Sequence, residues 1–564
     1  MANTRLMLWL ALGAILYLNY EAWMHDYREP APAAASAAPA PGAPPSLSES
    51  VPKAAPSGAE AGTAAAPAAA TTAPSATLGG AAAVPSGAAE LHVVSDVLDL
   101  DIGLKGGEID RADLEQYPLH KDTPHVPVRL ENRDPATLYL LQTGLAGSPG
   151  ESAPTHLATF TSPQSTYTLA AGASELKVPL SWSDGQGLTV TKTFVLKRGE
   201  YAIGLEYQVQ NGSATPRKLA SYGQILRHWE HASRSYFDVE TYSFKGPAVW
   251  DTKYHDLKVE SDTDSRFSEV ITNGWLASLQ HHFVSAIVPP AGRPYDYRLQ
   301  VQGQEYLLSA TGPSREIAPG TSAEFQEKLY VGPKLQAQLA ATAPNLERTV
   351  DYGRLWFIAE PLFAALSFVH RVVGNWGFTI IIVTALIKLI FYPLSQASGR
   401  SMAKMRAVAP RMKQIQESFK DDREKLGRAM MELYKKEKIN PLAGCLPMVV
   451  QIPVFISFYW VLLESVEMRQ APFLLWINDL SARDPYFVLP LLMGGAMFAQ
   501  FKLNPAPPDP MQAKIMQFMP LVMTGMMAWF PSGLVLYWLT NTVLSIAQQW
   551  RINQVVQAEA AKRS

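Results

Sequence analysis

Cysteine is almost missing from this chain. Cys445 is the sole thiol in 564 residues, which excludes an internal disulfide framework, a dithiol redox pair and a cysteine-rich metal site. An excess of charge of either sign is missing too. The 48 Lys and Arg nearly balance 50 Asp and Glu, for a formal net charge of −2, so bulk electrostatics indicates neither a nucleic-acid binder nor an acidic scavenger. No GxxxxGK[ST] loop occurs, so there is no recognisable route to ATP. His228 and His231, and the pair His281-His282, lack further ligands at metal-site spacing. No Ser, His and Asp arrangement stands out, although a triad assembled in space leaves no mark in sequence. No cofactor, metal or enzymatic activity is expected.

What is present divides the chain sharply. MANTR followed by LMLWLALGAILYLNYEAW reads as an uncleaved signal anchor over 1–24 with its N-terminus inside; a cleaved signal peptide is the alternative. Residues 25–90 are mostly Ala, Pro, Ser, Gly and Thr, a composition that cannot bury enough apolar surface to offset ordering entropy. This is read as a disordered tether.

Residues 91–340 follow a different rule. Leu188, Val190, Phe194 and Leu196 alternate with polar residues, and Lys197-Arg198-Gly199-Glu200 turns the chain. Tyr201, Ile203, Leu205, Tyr207 and Val209 then continue to Asn211-Gly212. That is a β-hairpin with one buried face. Similar period-two runs at Leu299–Leu308 and Phe325–Val331 make the segment a soluble β-sandwich.

The last third is apolar. An amphipathic helix lying in the membrane interface is expected over 352–373. The run Gly377–Leu394 and the segments Leu442–Leu463, Tyr486–Phe501, Ile515–Phe530 and Leu534–Ile546 follow within 374–550. With the anchor these make six candidate transmembrane helices, the later ones short for a hydrocarbon core of about 30 Å. The intervening segment 398–440 is rich in Lys and Arg and reads as cytoplasmic by the positive-inside rule. The β-domain then lies outside and both termini inside. Met402, Met405, Val408, Met412, Ile415 and Phe419, then Leu426, Met430 and Leu433, form two apolar stripes of a helical hairpin, with Asp421 and Glu424 as a capping pair between them.

Lys388 is the main charge within these apolar runs. A cation near the centre of a spanning helix costs roughly 2.5–3.5 kcal/mol on insertion scales. Thr384 lies one turn before it, and Gln451 falls midway along the next span, which suggests a shared wet cavity. Snorkelling past Pro393 to cytoplasmic water is the plainer reading, and the residues alone leave the two open. Asp, Glu and His relays of a proton-coupled pump are lacking in the spans, and Glu464 and Glu467 read as solvated at a helix end. Met448, Met493, Met516 and their neighbours fill a core or form a deformable surface for varied partner helices.

The stretches GNWGFTIIIVTALIKLIFYPL, SMAKMRAVAP, NPLAGCLPMVVQIPVFISFYWVLLESVEMRQAPFLLWINDLSARDPY and WFPSGLVLYW resemble the YidC-type membrane protein insertases of Gram-negative bacteria. The resemblance covers Leu355–Trp550 densely. It implies a five-helix insertase core, a sugar-mutarotase-like β-supersandwich outside, and a positively charged groove open to cytoplasm and lipid. Lys388 matches the groove cation, often Arg in relatives, with Thr384 beside it. Trp538 matches a substrate-contacting aromatic, with Tyr537 adjacent, and Phe455 and Met493 match apolar positions of the substrate-facing slide. The implied partners are nascent membrane proteins, membrane lipids and the Sec translocon. Ribosome docking is expected to be weak, because the tail 551–564 ends with only Lys562 and Arg563 as a basic cluster. Two further readings stand beside this one: a transporter or channel with an anion site at Lys388, and a carbohydrate-active outer domain.

Overall fold

The computed structural model describes residues 46–52, 90–230, 243–419, 422–437, 446–503 and 510–561. The anchor 1–24, most of the tether, His231, Cys445 and the last three residues lie outside the described residues.

The alternation in Leu188–Lys197 and Ala202–Asn211 produces the expected hairpin, with Leu196 opposite Ile203 and Leu188 opposite Asn211. Gly199, at φ +74, supplies the left-handed residue its turn needs. Leu188, Val190, Phe194 and Leu196 are buried, as are Ile203, Leu205, Tyr207 and Val209 across from them. The hairpin belongs to an eight-stranded sheet that runs Tyr254–Asp256, Gly246–Trp250, Trp275–Leu279, Phe283–Val288, Ser322–Pro333, Ala202–Asn211, Leu188–Lys197, Glu175–Ser183. An eleven-stranded sheet faces it, with Glu305–Thr311, Arg217–His228, Tyr139–Gly147 and Glu108–Pro118 side by side at its centre. The two inner faces form one apolar core. The run Leu299–Leu308 is not one strand. It breaks at Gly303, φ +62, into the hairpin Pro294–Gln302 and Glu305–Thr311.

One inward position of the sandwich is occupied by Lys192. Its ammonium donates to the carbonyls of Gly107 (2.6 Å), Thr143 (3.0 Å) and Gly106 (3.3 Å), and burial pushes its pKa down to about 7. Part of the tether departs from expectation. Ser46–Pro52 is packed on the sandwich, with Leu47 buried in a patch of leucines. Composition could not show this, because the burying surface comes from strands far away in sequence.

Among the described residues the α-helices are α1 (Gln336–Thr342), α2 (Trp356–Val373), α3 (Trp376–Ile390), α4 (Tyr392–Ser418), α5 (Arg423–Lys436), α6 (Leu446–Glu464), α7 (Val488–Leu503), α8 (Pro510–Met527) and α9 (Ser532–Ala561). Among the described residues, only the segment 353–373 is long and apolar enough to cross a membrane as one helix. α3 and the first part of α4, Tyr392–Ser401, bent by 60° to one another, pass the same test together. α4 and α5 form the expected hairpin around Val408, Met412 and Leu433. Asp422 caps the second helix, its carboxylate accepting from the Lys425 backbone N–H at 3.0 Å, while Asp421 lies outside the described residues.

The sandwich and the bundle share one continuous core. The connection Ser465–Phe487, between α6 and α7, carries much of the polar join. Arg469 donates to the carbonyls of Pro118 and Leu119, both at 3.0 Å, and Gln470 to that of Pro118 at 3.1 Å. Glu464 is not solvated as its place at a helix end suggested. It is 1% exposed, accepts from Ser243 Oγ at 3.1 Å and lies 3.9 Å from His281. The β-domain covers it, and a neutral His281, its pKa lowered by burial to about 3, donates to the Leu463 carbonyl at 3.0 Å.

Candidate functional site

α3 is capped by Asn375, whose side-chain oxygen accepts from the Phe378 N–H at 3.1 Å. It stops at Ile390, four residues short of the end of the apolar run, and the chain bends by 60° into α4. Pro393 drives the break. It lacks an N–H, disfavours helical geometry in the residue before it, and suits the first turn of a new helix, where it sits. Lys388 is therefore in the last turn of α3 rather than in the interior of one continuous helix. Its cation there faces the negative end of the helix dipole, which favours it.

The bend opens a cleft between four helices. Thr384, Ile387 and Lys388 of α3 line it with Phe391, Leu394 and Ser395, Val450, Gln451 and Val454 of α6, and Tyr537 and Asn541 of α9. Among the described residues of this lining Lys388 is the one with a charge, and none is a carboxylate. A short polar relay holds the ammonium. Lys388 Nζ donates to Ser545 Oγ at 2.8 Å, and Ser545 Oγ donates to the Asn541 carbonyl at 2.6 Å. The Gln451 amide donates to Asn541 Oδ1 from the opposite wall.

The cleft thus gathers Thr384, Lys388, Gln451 and Tyr537. Thr384 contributes shape more than polarity, since its hydroxyl donates to the Ile380 carbonyl at 2.6 Å. Phe455 and Trp538 adjoin the cleft through aromatic contacts. Phe455 meets Trp538 edge-on at 4.5 Å and Tyr537 at 6.0 Å, and Tyr537 stacks on Phe458 at 4.2 Å. Met493 is not brought in. It is fully buried inside the bundle from α7 and does not line the cleft.

Sequence reasoning missed Asn541 and Ser545. Tyr537, Asn541 and Ser545 are spaced by four and lie on one face of α9, a stripe that was there to be read. It carries no charge, so it drew less notice than Lys388. The helices carry exposed large apolar side chains: Ile382, Leu386, Leu389 and Ile390 of α3, Ile452 of α6, Leu491 of α7 and Leu521 of α8. So many of them suit hydrocarbon rather than water.

These features define a class: a helical bundle with exposed apolar side chains and an inward cationic cleft, carrying a large β-sandwich. Family models described as "YidC periplasmic domain" and "60Kd inner membrane protein" match residues 90–365 and 368–559. The membrane protein insertase YidC of Thioalkalivibrio sulfidiphilus (strain HL-EbGR7) is 44% identical over 580 residues, covering 100% of both chains. That of Pseudomonas fluorescens (strain Pf0-1) is 48% identical over 476 residues, 84% of this chain and 85% of its own. A solved structure of an active YidC insertase with its first transmembrane domain resolved is 17% identical, with a TM-score of 0.35, and covers 82% of this chain and 93% of that one. The chain belongs to the YidC family of membrane protein insertases. Nothing found supports the transporter or channel reading.

Proposed function

We propose that this protein inserts membrane proteins by receiving the polar or acidic outer tail of a nascent chain in the cleft at Lys388. The observation that carries this reading is the Lys388 ammonium, the one charged group among the cleft's described lining residues, which donates to Ser545 Oγ between helices with exposed apolar side chains. The tail enters from the cytoplasm, and its following apolar segment passes Phe455, Tyr537 and Trp538 into lipid. Burial of that segment is the main driving force, at about 25 cal/mol per Å² of apolar surface. The membrane potential adds about 2.3 kcal/mol per 100 mV for each negative charge moved outward. No ATP and no covalent step are required.

The accompanying topology has six spans in the inner membrane, the β-domain in the periplasm, and the α4–α5 hairpin and both termini in the cytoplasm; α2, although long and apolar enough to cross, lies in the interface because Arg354, His370 and Arg371 flank it. The protein works with or without the Sec translocon, and its ribosome contact is weak. Photo-crosslinking from positions 384, 388, 451 and 538 to a ribosome-held nascent membrane protein tests the cleft, with position 493 as a buried control. Contacts at the first four and none at 493 are expected. No contact at any of the four would sink the proposal.

A further inference from the structure

Between Pro30 and Glu90 the chain has four aliphatic side chains larger than alanine: Leu47, Val51, Leu78 and Val84. The first is 6% exposed. It closes a patch made by Leu140, Leu226 and Leu307, in which Leu226 lies opposite Leu140 on one neighbouring strand and Leu307 on the other. Their sequence neighbours Leu141, Ile225 and Leu308 point into the main core, so the three leucines face outward from the eleven-stranded sheet. Without a cover they would be an exposed apolar patch beside buried glutamines. The cover is Leu47.

Two polar contacts read the backbone around it. Gln224 lies two residues before Leu226, on the same face, opposite Gln142. Its amide donates to Gln142 Oε1 at 2.7 Å and to the Ser50 carbonyl at 3.2 Å. His156 Nε2–H donates to the Ser48 carbonyl at 3.1 Å, while its Nδ1 faces the Tyr222 hydroxyl at 2.7 Å. The Tyr222 hydroxyl in turn accepts from the His156 backbone N–H at 3.0 Å, which orients the ring. Within the segment, Glu49 N–H donates to the Ser46 carbonyl (3.1 Å) and Ser50 N–H to that of Leu47 (3.2 Å). This turn drives Leu47 into the patch and presents the Ser48 and Ser50 carbonyls to the two donors. One aliphatic socket and two carbonyl readers make a receptor for a short peptide.

We propose that Ser46–Pro52 is an internal docking peptide and that the outward face of the eleven-stranded sheet is its receptor, so that the segment before β-domain entry is pinned back onto the domain. The consequence rests on the reading of residues 1–24 as a membrane anchor. With the segment docked, the anchor reaches the domain through residues 25–45, at most about 75 Å when fully extended. Undocked, it does so through residues 25–89, at most about 230 Å. Docking therefore holds the anchor close to the domain and to the bundle joined to it.

The test uses the full chain in nanodiscs. A labelled peptide of residues 44–53 is titrated against wild type, whose socket is filled by its own segment, and against Leu47→Asp, whose socket is vacated. Fluorescence anisotropy is expected to show binding to Leu47→Asp at least roughly tenfold tighter than to wild type, since the tethered segment competes at high effective concentration. A peptide carrying Asp in place of the leucine is expected to bind neither. Hydrogen exchange should show protected Glu49 and Ser50 amides in wild type and unprotected ones in Leu47→Asp, with the strand amides of Leu226 and Leu307 unchanged. Equal peptide affinity for both proteins, or equal exchange at Glu49 and Ser50, overturns the proposal. Cysteine crosslinks from position 48 to position 156 that join two differently tagged copies would assign the segment to a neighbouring copy and overturn the docking in cis.

Discussion

Replacing Lys388 by glutamine removes the cleft's charge while retaining a polar side chain that can face Ser545. A substrate carboxylate at about 4 Å from the ammonium is attracted by about 1 kcal/mol at the dielectric of water and by about 4 kcal/mol at an effective value of 20. The cleft is open and polar on one wall, so its effective dielectric falls between these limits. At 1.4 kcal/mol per tenfold, Lys388→Gln should reduce insertion of an acidic-tailed substrate by about fivefold to several hundredfold. Lys388→Arg keeps the charge and should retain most activity, whereas Lys388→Glu replaces attraction with repulsion and should fall below Lys388→Gln. The assay is insertion into proteoliposomes of a substrate with an acidic tail and of the same substrate with its acids changed to Asn or Gln. The charge-dependent loss should appear with the first and shrink to a few-fold or less with the second. If Lys388→Gln inserts both as well as wild type does, or loses both equally, electrostatic reception at this residue is refuted. Ser545→Ala removes a hydrogen-bond partner of the ammonium and should cost about 1.5–3 kcal/mol, roughly tenfold to a hundredfold.

Three other outcomes follow from the packing. Glu131 is fully buried beside Ser285 Oγ, and burial raises its pKa from the ordinary 4.5 to about 7. The folded state therefore holds this proton more tightly, and stability is lost as pH rises from about 4.5 to about 7. Glu131→Gln removes that loss, so urea midpoints followed by tryptophan fluorescence should shift by about 3 kcal/mol in the variant's favour between pH 4.5 and pH 8; a constant difference across that range contradicts the assignment. Arg469→Ala takes away the donors to the Pro118 and Leu119 carbonyls at the join of sandwich and bundle. It should cost about 1–3 kcal/mol locally and speed hydrogen exchange around residues 118–121 and 469–480, and unchanged exchange there would show that the join does not depend on it. At Gly377 an added Cβ would lie 1.9 Å from the Phe473 ring, so Gly377→Ala should destabilise by about 1–3 kcal/mol, read as a lower melting midpoint. Adding Phe473→Ala should relieve the clash, and a double variant that melts no higher than expected from the sum of the two single losses argues against that contact.

Much of the fold was legible because it is written in local periods. The hairpin 188–211 alternates every second residue, and the two stripes of the 398–440 hairpin recur every three or four, so each segment declares its buried face without help from distant residues. Lys388 and Gln451 were legible as polar exceptions in apolar runs. The break after Ile390 was hinted at by Pro393, yet the length of the apolar run outweighed that hint and put Lys388 in the interior of one continuous helix. Met493 resembled a substrate-facing position, but the packing of α7 buries it completely.

The sequence by itself determined the division into a tether, a β-sandwich and an apolar helical third, and it singled out the lysine on which the cleft turns. These follow from composition and periodicity, which act over a few residues. Only the tertiary structure decided that Lys388 ends a helix against Ser545, that Glu464 is buried under the β-domain, and that Leu47 closes a socket built by three distant strands. Each of these depends on side chains brought together from far apart along the chain, and no local pattern records which of the available surfaces will meet.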